Sequence, residues 1–271
     1  MKAASTVSLV IASSGAADFA EITSLVGHAP TRTDISRGRK DLWELTLEGP
    51  SPVSRGRVGN DLAVTLLTRI GIMGPTLATW PRALGARCEM RFLYSFDHLL
   101  NFSFELDADV LRGLAAVGGK TSFHQHDAMF ARDGLEPFGC GTSPDEGCVA
   151  SVVISGPAFD PELATSSLGI APTSVRGVGE TSAWTLEGGL PRTHEADAPI
   201  VQVLARLPTA SDAWKAACRE HRVQVSVDFQ VRQMTGLFDL EPGTMTTLAD
   251  AGCGLRVATN DWGPRGADCL R

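Results

Sequence analysis

Basic charge is scarce in this chain. Its 24 Lys and Arg face 31 Asp and Glu, a formal net charge of −7. A nucleic-acid binder carries a basic excess to neutralise phosphates, so that class is excluded as the expected function. Long apolar runs are missing too: none approaches the roughly 20 residues of a membrane-spanning helix, and no membrane partner is expected. Cysteine is sparse, with six in 271 residues. None forms C-x-x-C or stands near His at zinc-finger spacing. Cys88, Cys218 and Cys253 fall inside apolar patterns and read as small buried hydrophobes. Cys140 and Cys148 flank a Gly/Pro/acidic loop and could close a local disulfide, but nothing else points to an oxidising compartment. There is no G-x-S-x-G elbow, Walker loop, H-E-x-x-H, or G-x-G-x-x-G between strand and helix, so catalytic residues are unknown.

What is present is a globular composition. Hydrophobic residues make up 43% and charged residues 20%, enough apolar surface for a core. The negative charge is lopsided. Residues 1–135 carry 14 basic and 14 acidic side chains, whereas residues 136–271 carry ten and 17.

The chain repeats itself. Residues 10–31 (VIASSGAADFAEITSLVGHAPT) align without a gap on residues 152–173 (VVISGPAFDPELATSSLGIAPT), with ten of 22 positions identical. Val10 falls on Val152, Asp18 on Asp160, Thr23 on Thr165, Gly27 on Gly169 and Thr31 on Thr173. Trp43 then matches Trp184, and residues 104–127 match residues 238–261. Conserved order with variable loop lengths indicates a tandem duplication. Residues 1–129 form copy one, residues 130–147 a linker and residues 148–271 copy two.

Each copy yields the same elements. Thr6–Ala12 and Val149–Ile154 are β-branched-rich and read as first strands. The first of these superficially suits a secretory signal, but its counterpart is internal, so a cytoplasmic strand is expected. Asp18 and Asp160 read as helix N-caps, since a carboxylate accepts bonds from the free N–H groups of the first turn. Gly27 and Gly169 stop those helices, and Pro30 and Pro172 prevent their resumption. A Trp strand, helical segments, an alternating strand (Cys88 to Phe96, Val223 to Val231), a short strand, a closing helix and a last strand follow. The expected fold class is α+β: two tandem β-α-β-α-β-β-α-β domains, each a mainly antiparallel sheet with helices packed on one face.

The spaced motif of Asp18, Thr23, Gly27, Pro30, Thr31 and Trp43, repeated as Asp160, Thr165, Gly169, Pro172, Thr173 and Trp184, resembles a bacterial family. That family is the domain-of-unknown-function family 4279, matched once per copy. The resemblance implies fold boundaries and a bacterial origin, and carries over no catalytic residues.

Two groups of side chains could carry chemistry. His124 and His126 sit two apart, so on a strand both imidazoles share a face and could hold a divalent metal such as zinc, with His98 or Asp127 as a third ligand. The leading reading is nonetheless a pair of polar residues at a strand end and no cofactor, with the metal as the alternative. Arg32, Arg37, Arg39 and Lys40 form a basic loop suited to carboxylate or phosphate, or simply to solvent. Trp43 and Trp184 read as core. Together these features lead to the expectation of a non-catalytic cytoplasmic binding protein recognising another macromolecule, with an immunity- or antitoxin-like factor as one version. The alternative is an enzyme or a small-ligand or metal-binding protein using a polar site in copy one or the cleft between copies.

Overall fold

A computed structural model of the chain describes residues 4–13, 19–34, 41–49, 57–71, 87–96, 102–127, 147–178, 181–189, 195–231 and 237–261. The first half runs β1 (Ala4–Ser13), α1 (Phe19–Val26), β2 (Arg32–Asp34), β3 (Asp41–Gly49), α2 (Val58–Arg69), β4 (Arg87–Phe96), β5 (Phe102–Leu106), α3 (Ala108–Ala116) and β6 (Lys120–Asp127). The second runs β7 (Gly147–Pro157), α4 (Pro161–Leu168), β8 (Ser174–Val178), β9 (Thr181–Glu187), α5 (Asp197–Ala205), α6 (Asp212–Glu220), β10 (Arg222–Val231), β11 (Leu237–Leu240), α7 (Pro242–Asp250) and β12 (Gly254–Asp261). The class is α+β, as the pattern predicts.

Two six-stranded sheets form, ordered β11-β6-β4-β1-β3-β2 and β5-β12-β10-β7-β9-β8. The order is the same in both, but each sheet takes its sixth strand from the other half of the chain. β5 pairs antiparallel with β12, Leu106 opposite Leu255, and β11 pairs antiparallel with β6, Leu240 opposite Thr121. Among the described strands, only β4–β6 and β10–β12 are parallel. Neither half completes a sheet alone.

The exchanged strands are anchored alike. After β5, the Asp107 N–H donates to Asn60 Oδ1 of α2 at 2.8 Å. After β11, the Glu241 N–H donates to Asp197 Oδ1 of α5 at 3.1 Å. Across the halves, Lys120 Nζ bonds Asp239 Oδ2 at 2.5 Å, Arg222 pairs with Glu105, and Arg112 of α3 donates to the Ala249 carbonyl of α7 at 3.0 Å. Rings stack over the same seam, Phe104 on Phe123 at 4.9 Å and Phe123 on Phe238 at 4.6 Å between centroids.

Each sheet is apolar on its helix side. Alternation along β1 turns Val7, Leu9 and Ile11 inward, where they join Ile22 of α1 and Leu66 and Leu67 of α2 in a core continuous with the second half. The opposite face of the first sheet is polar: Ser8 Oγ lies 2.8 Å from Thr46 Oγ1, and Arg91 bonds Glu89.

The repeated motif has a structural reason at each position. Trp43 and Trp184 are fully buried, and their indole N–H groups donate to Thr23 and Thr165 Oγ1, both at 3.2 Å. A buried indole N–H without an acceptor would be costly, so the threonine is required. Gly27 and Gly169 end the helices at φ 74° and 67°, a region that disfavours any Cβ. Thr31 and Thr173 then latch the chain to the next strand: their hydroxyls accept from the Thr46 and Glu187 N–H groups at 3.0 Å. Asp160 caps α4, accepting from Glu162 N at 2.9 Å and Leu163 N at 3.2 Å. Its counterpart Asp18 lies outside the described residues.

Two corrections concern register and edges. Ile11 stands opposite Trp43, whereas Ile154 stands opposite Trp184. The equivalent of Ile11 is therefore Ile154, and the ungapped pairing of Val10 with Val152 is off by one residue in this strand. A one-residue slip moves a side chain to the other face; the first half carries one more residue between strand and helix cap. The edge strands β2 and β8 are additional to the expected order, being too short or too exposed to show alternation.

Candidate functional site

Two of the open depressions among the described residues bear on function. One is a groove of about 580 Å³ between α4 and the edge strand β8, lined by Asp160, Pro161, Glu162, Thr165, Val175 and Ser182 among others. The local sequence builds it directly. Pro161 starts α4 at the position where a missing N–H costs nothing. Trp184 of β9 is held beneath that helix by Thr165. The neighbouring β8 residue in register with Trp184 is Val175, on the same side of the sheet. α4 leaves it uncovered, and Val175 is 53% exposed. Glu162 and Leu163 of α4 are exposed nearby in sequence, Leu163 by 63%. The result is an apolar spot whose rim carries both signs of charge, Asp160 and Glu162 together with Arg176, and hydroxyls.

The second depression, about 530 Å³, lies at the seam where β5 joins the second sheet. Arg57, Glu105, Asp107, Cys218 and Arg222 line it. Its guanidiniums are engaged, Arg57 with Asp107 and Arg222 with Glu105, while half of each side chain stays in solvent. Burial pushes the Cys218 thiol up to about 11, so it is protonated at neutral pH and is a poor nucleophile. The same desolvation raises Cys88 to about 12 and holds Cys253 and the Tyr94 hydroxyl well above their ordinary values.

The candidates read from sequence fall in separate places. Arg32 is exposed on the three-residue edge strand β2, 3.5 Å from Asp34. Arg37, Arg39, Lys40 and His98 lie outside the described residues. His124 is partly buried in β6, opposite Leu93 of β4 and Leu237 of β11. His126 and Asp127 follow on the same strand, opposite Ser95 and Phe96. Among the described residues no three His, Cys, Asp or Glu gather around a point fit for a metal ion. Cys148 is buried in β7 with Sγ 3.6 Å from the Glu195 carbonyl, and Cys140 lies outside the described residues. No described helix is long and apolar enough to cross a membrane.

His124 does sit beside a charged pair. Burial alone would raise the Asp239 carboxyl. Bonds from Lys120 and Ser122, with the charges of Lys120 and His124, outweigh that and hold it below its ordinary value. The bond to Asp239 correspondingly raises Lys120. These groups pin an exchanged strand, which gives the polar cluster on β6 a structural task.

Sequence reasoning missed both depressions. The seam joins residues up to 117 positions apart, as in Arg222 to Glu105, and no local pattern records that. The groove had one legible trace: Val175, an apolar residue between Ser174 and Arg176 just after the Pro172-Thr173 latch. No curated protein and no solved structure matches the chain significantly. Residues 146–262 match the family model described as a domain of unknown function, DUF4279.

Proposed function

We propose that this is a non-catalytic binding protein that recognises another polypeptide. The observation that carries the reading is the open groove beside β8. An exposed apolar residue with a polar rim, at the edge of a sheet, suits a protein surface better than a small molecule, which is held in an enclosed pocket. The protonated thiols at the seam and in the core fit the same reading, because none is primed for nucleophilic chemistry.

We also read the two halves as copies of one ancestral unit. The shared strand order, the paired Trp–Thr bonds and the paired threonine latches support this. A cytoplasmic setting and an immunity- or antitoxin-like role belong to the same proposal; in support of the former, the apolar Thr6–Ala12 stretch is a strand paired on both sides.

Affinity purification of the tagged chain from its source organism, after mild cross-linking, tests the reading. One polypeptide retained in near-stoichiometric amount, and displaced by untagged protein, is expected. Native mass spectrometry that finds a tightly held small molecule and no polypeptide would overturn it in favour of a ligand at the Arg57–Arg222 seam.

A further inference from the structure

The seam between the halves buries what each half leaves open. Phe104 and Leu106 of β5 and Phe238 and Leu240 of β11 are at most 9% exposed, and each strand lies against a strand of the other half. α3 packs on α7 along the same line, where Arg112 donates to the Ala249 carbonyl. Chain continuity plays no part in these contacts. The halves are joined by residues 128–146, 19 positions of which five are Gly or Pro. The bonds described across the seam all run between elements outside that stretch.

The seam is also selective. In the alignment of residues 104–127 on 238–261, Val257 stands where Phe123 does and Gly254 where Lys120 does. Two second halves set against each other would lose the ring stack on Phe238 and the Lys120–Asp239 bond. A first half is therefore fitted by a second half, its own or that of another copy.

We infer that two copies of this chain pair half for half: the first half of each takes β11 from the other and lends its β5 in return. The product is a closed dimer with two seams, each like the one within a single chain. The inference does not depend on the polypeptide-binding reading. Exchanging an identical element between copies creates no new interface, which makes it a low-cost route to a dimer. The tether decides which form prevails. Joined halves meet at an effective concentration on the order of mM, so a chain folding in dilute solution pairs internally. Chains that fold at comparable concentration pair with each other. The dimer then persists, because leaving it uncovers the aromatic strands of both seams. Two copies held this way carry every outer surface in duplicate, which raises avidity for any repeated partner.

The full-length chain tests this. Equal amounts of unlabelled and heavy-isotope-labelled protein are unfolded, mixed, and refolded either in dilute solution or at about 1 mM, the scale set by the tether. A carbodiimide, which adds no spacer, then joins Lys120 to Asp239, whose Nζ and Oδ2 lie 2.5 Å apart. Dilute refolding should give monomer, with each cross-linked peptide of one isotope. Concentrated refolding should give a dimer that survives dilution, with about half of its Lys120–Asp239 peptides joining a labelled to an unlabelled chain, as random pairing into closed dimers requires. Lys120→Arg keeps the charge but removes the amine, so the dimer should remain and the cross-link vanish. Co-expression of two differently tagged chains reads the same point without refolding. Each tag should recover the other, and the carbodiimide should give a covalent dimer on a denaturing gel that Lys120→Arg abolishes. Monomer at both concentrations and no recovery between tags overturn the inference. A dimer whose cross-linked peptides are all of one isotope overturns it as well, since its contact then lies outside the seam.

Discussion

The two halves of the molecule share their framework and differ at their rims. Both use a buried Trp hung on a helix threonine, a left-handed glycine, a threonine latch and a polar anchor from a central helix. The edges are not shared: β2 is short and charge-paired, while β8 is longer and exposes Val175. Nor is the seam fully symmetric. Phe123 stacks between Phe104 and Phe238, whereas the corresponding position in the second half is Val257. What the architecture requires is retained twice, whereas the two edge strands differ in length and exposure.

The largest expected effect tests whether the halves are separable. Phe238 belongs to the second half by sequence but lies in the first half's sheet, 4.6 Å from Phe123. Phe238→Ala should cost about 3–5 kcal/mol. Hydrogen exchange should accelerate in β6, more than 100 residues away in sequence. Acceleration confined to residues 147–261 would break the exchanged-strand description. Next comes Gly119→Ala. An added Cβ would fall 1.8 Å from the Cys88 carbonyl oxygen, while the corresponding residue of the second half, Cys253, is a buried side chain already accommodated. A loss of about 3 kcal/mol is expected by chemical denaturation. A variant as stable as the parent would show that the two closing turns are built alike.

Thr23→Val and Thr165→Val sharpen the equivalence. Each removes the acceptor of a buried indole N–H, and each should cost about 1–2 kcal/mol. Calorimetric values differing by more than that amount would separate the halves.

Smallest is the pH dependence of the Lys120–Asp239 pair. The folded carboxyl lies below its ordinary value, so its contribution is present above the unfolded pKa of about 3.9 and is lost as pH falls through the folded value. Both side chains are over a third exposed, so the contribution is about 1 kcal/mol or less. The stability gap between the parent and Asp239→Asn should be present at neutral pH and close in acid. A gap unchanged at low pH would remove the pair from the seam's electrostatics.

Much of this frame was legible in the residues. The short strands Phe102–Leu106 and Leu237–Leu240 and the stops at Gly118 and Gly252 lie where alternation and glycine placed them. Pairing partners were not legible. Phe102–Leu106 encodes a strand, but nothing in those five residues says which of two similar edges it joins. The register slip at Ile11 was hidden because a one-residue difference beside a strand leaves an ungapped alignment looking good. β2 and β8 lacked the apolar alternation that marks a half-buried strand, because they are exposed. For the site, the sequence offered the acidic second half. It could not offer the groove, which exists only because α4 stops short of Val175.

The crossing strands also impose a timetable on synthesis. β6 ends at Asp127, and the strand that covers its outer edge begins at Leu237. At ribosomal speeds of 5–20 residues per second, that edge waits roughly 5–20 s for its partner. The second sheet has no such delay, since β5 is already made when β12 emerges. The nascent first half is thus an unfinished sheet with a sticky border while the rest of the chain is being translated. Slowing elongation between codons 128 and 237 should lengthen that exposure, and the chain's yield in cells should depend on whatever chaperone shields it.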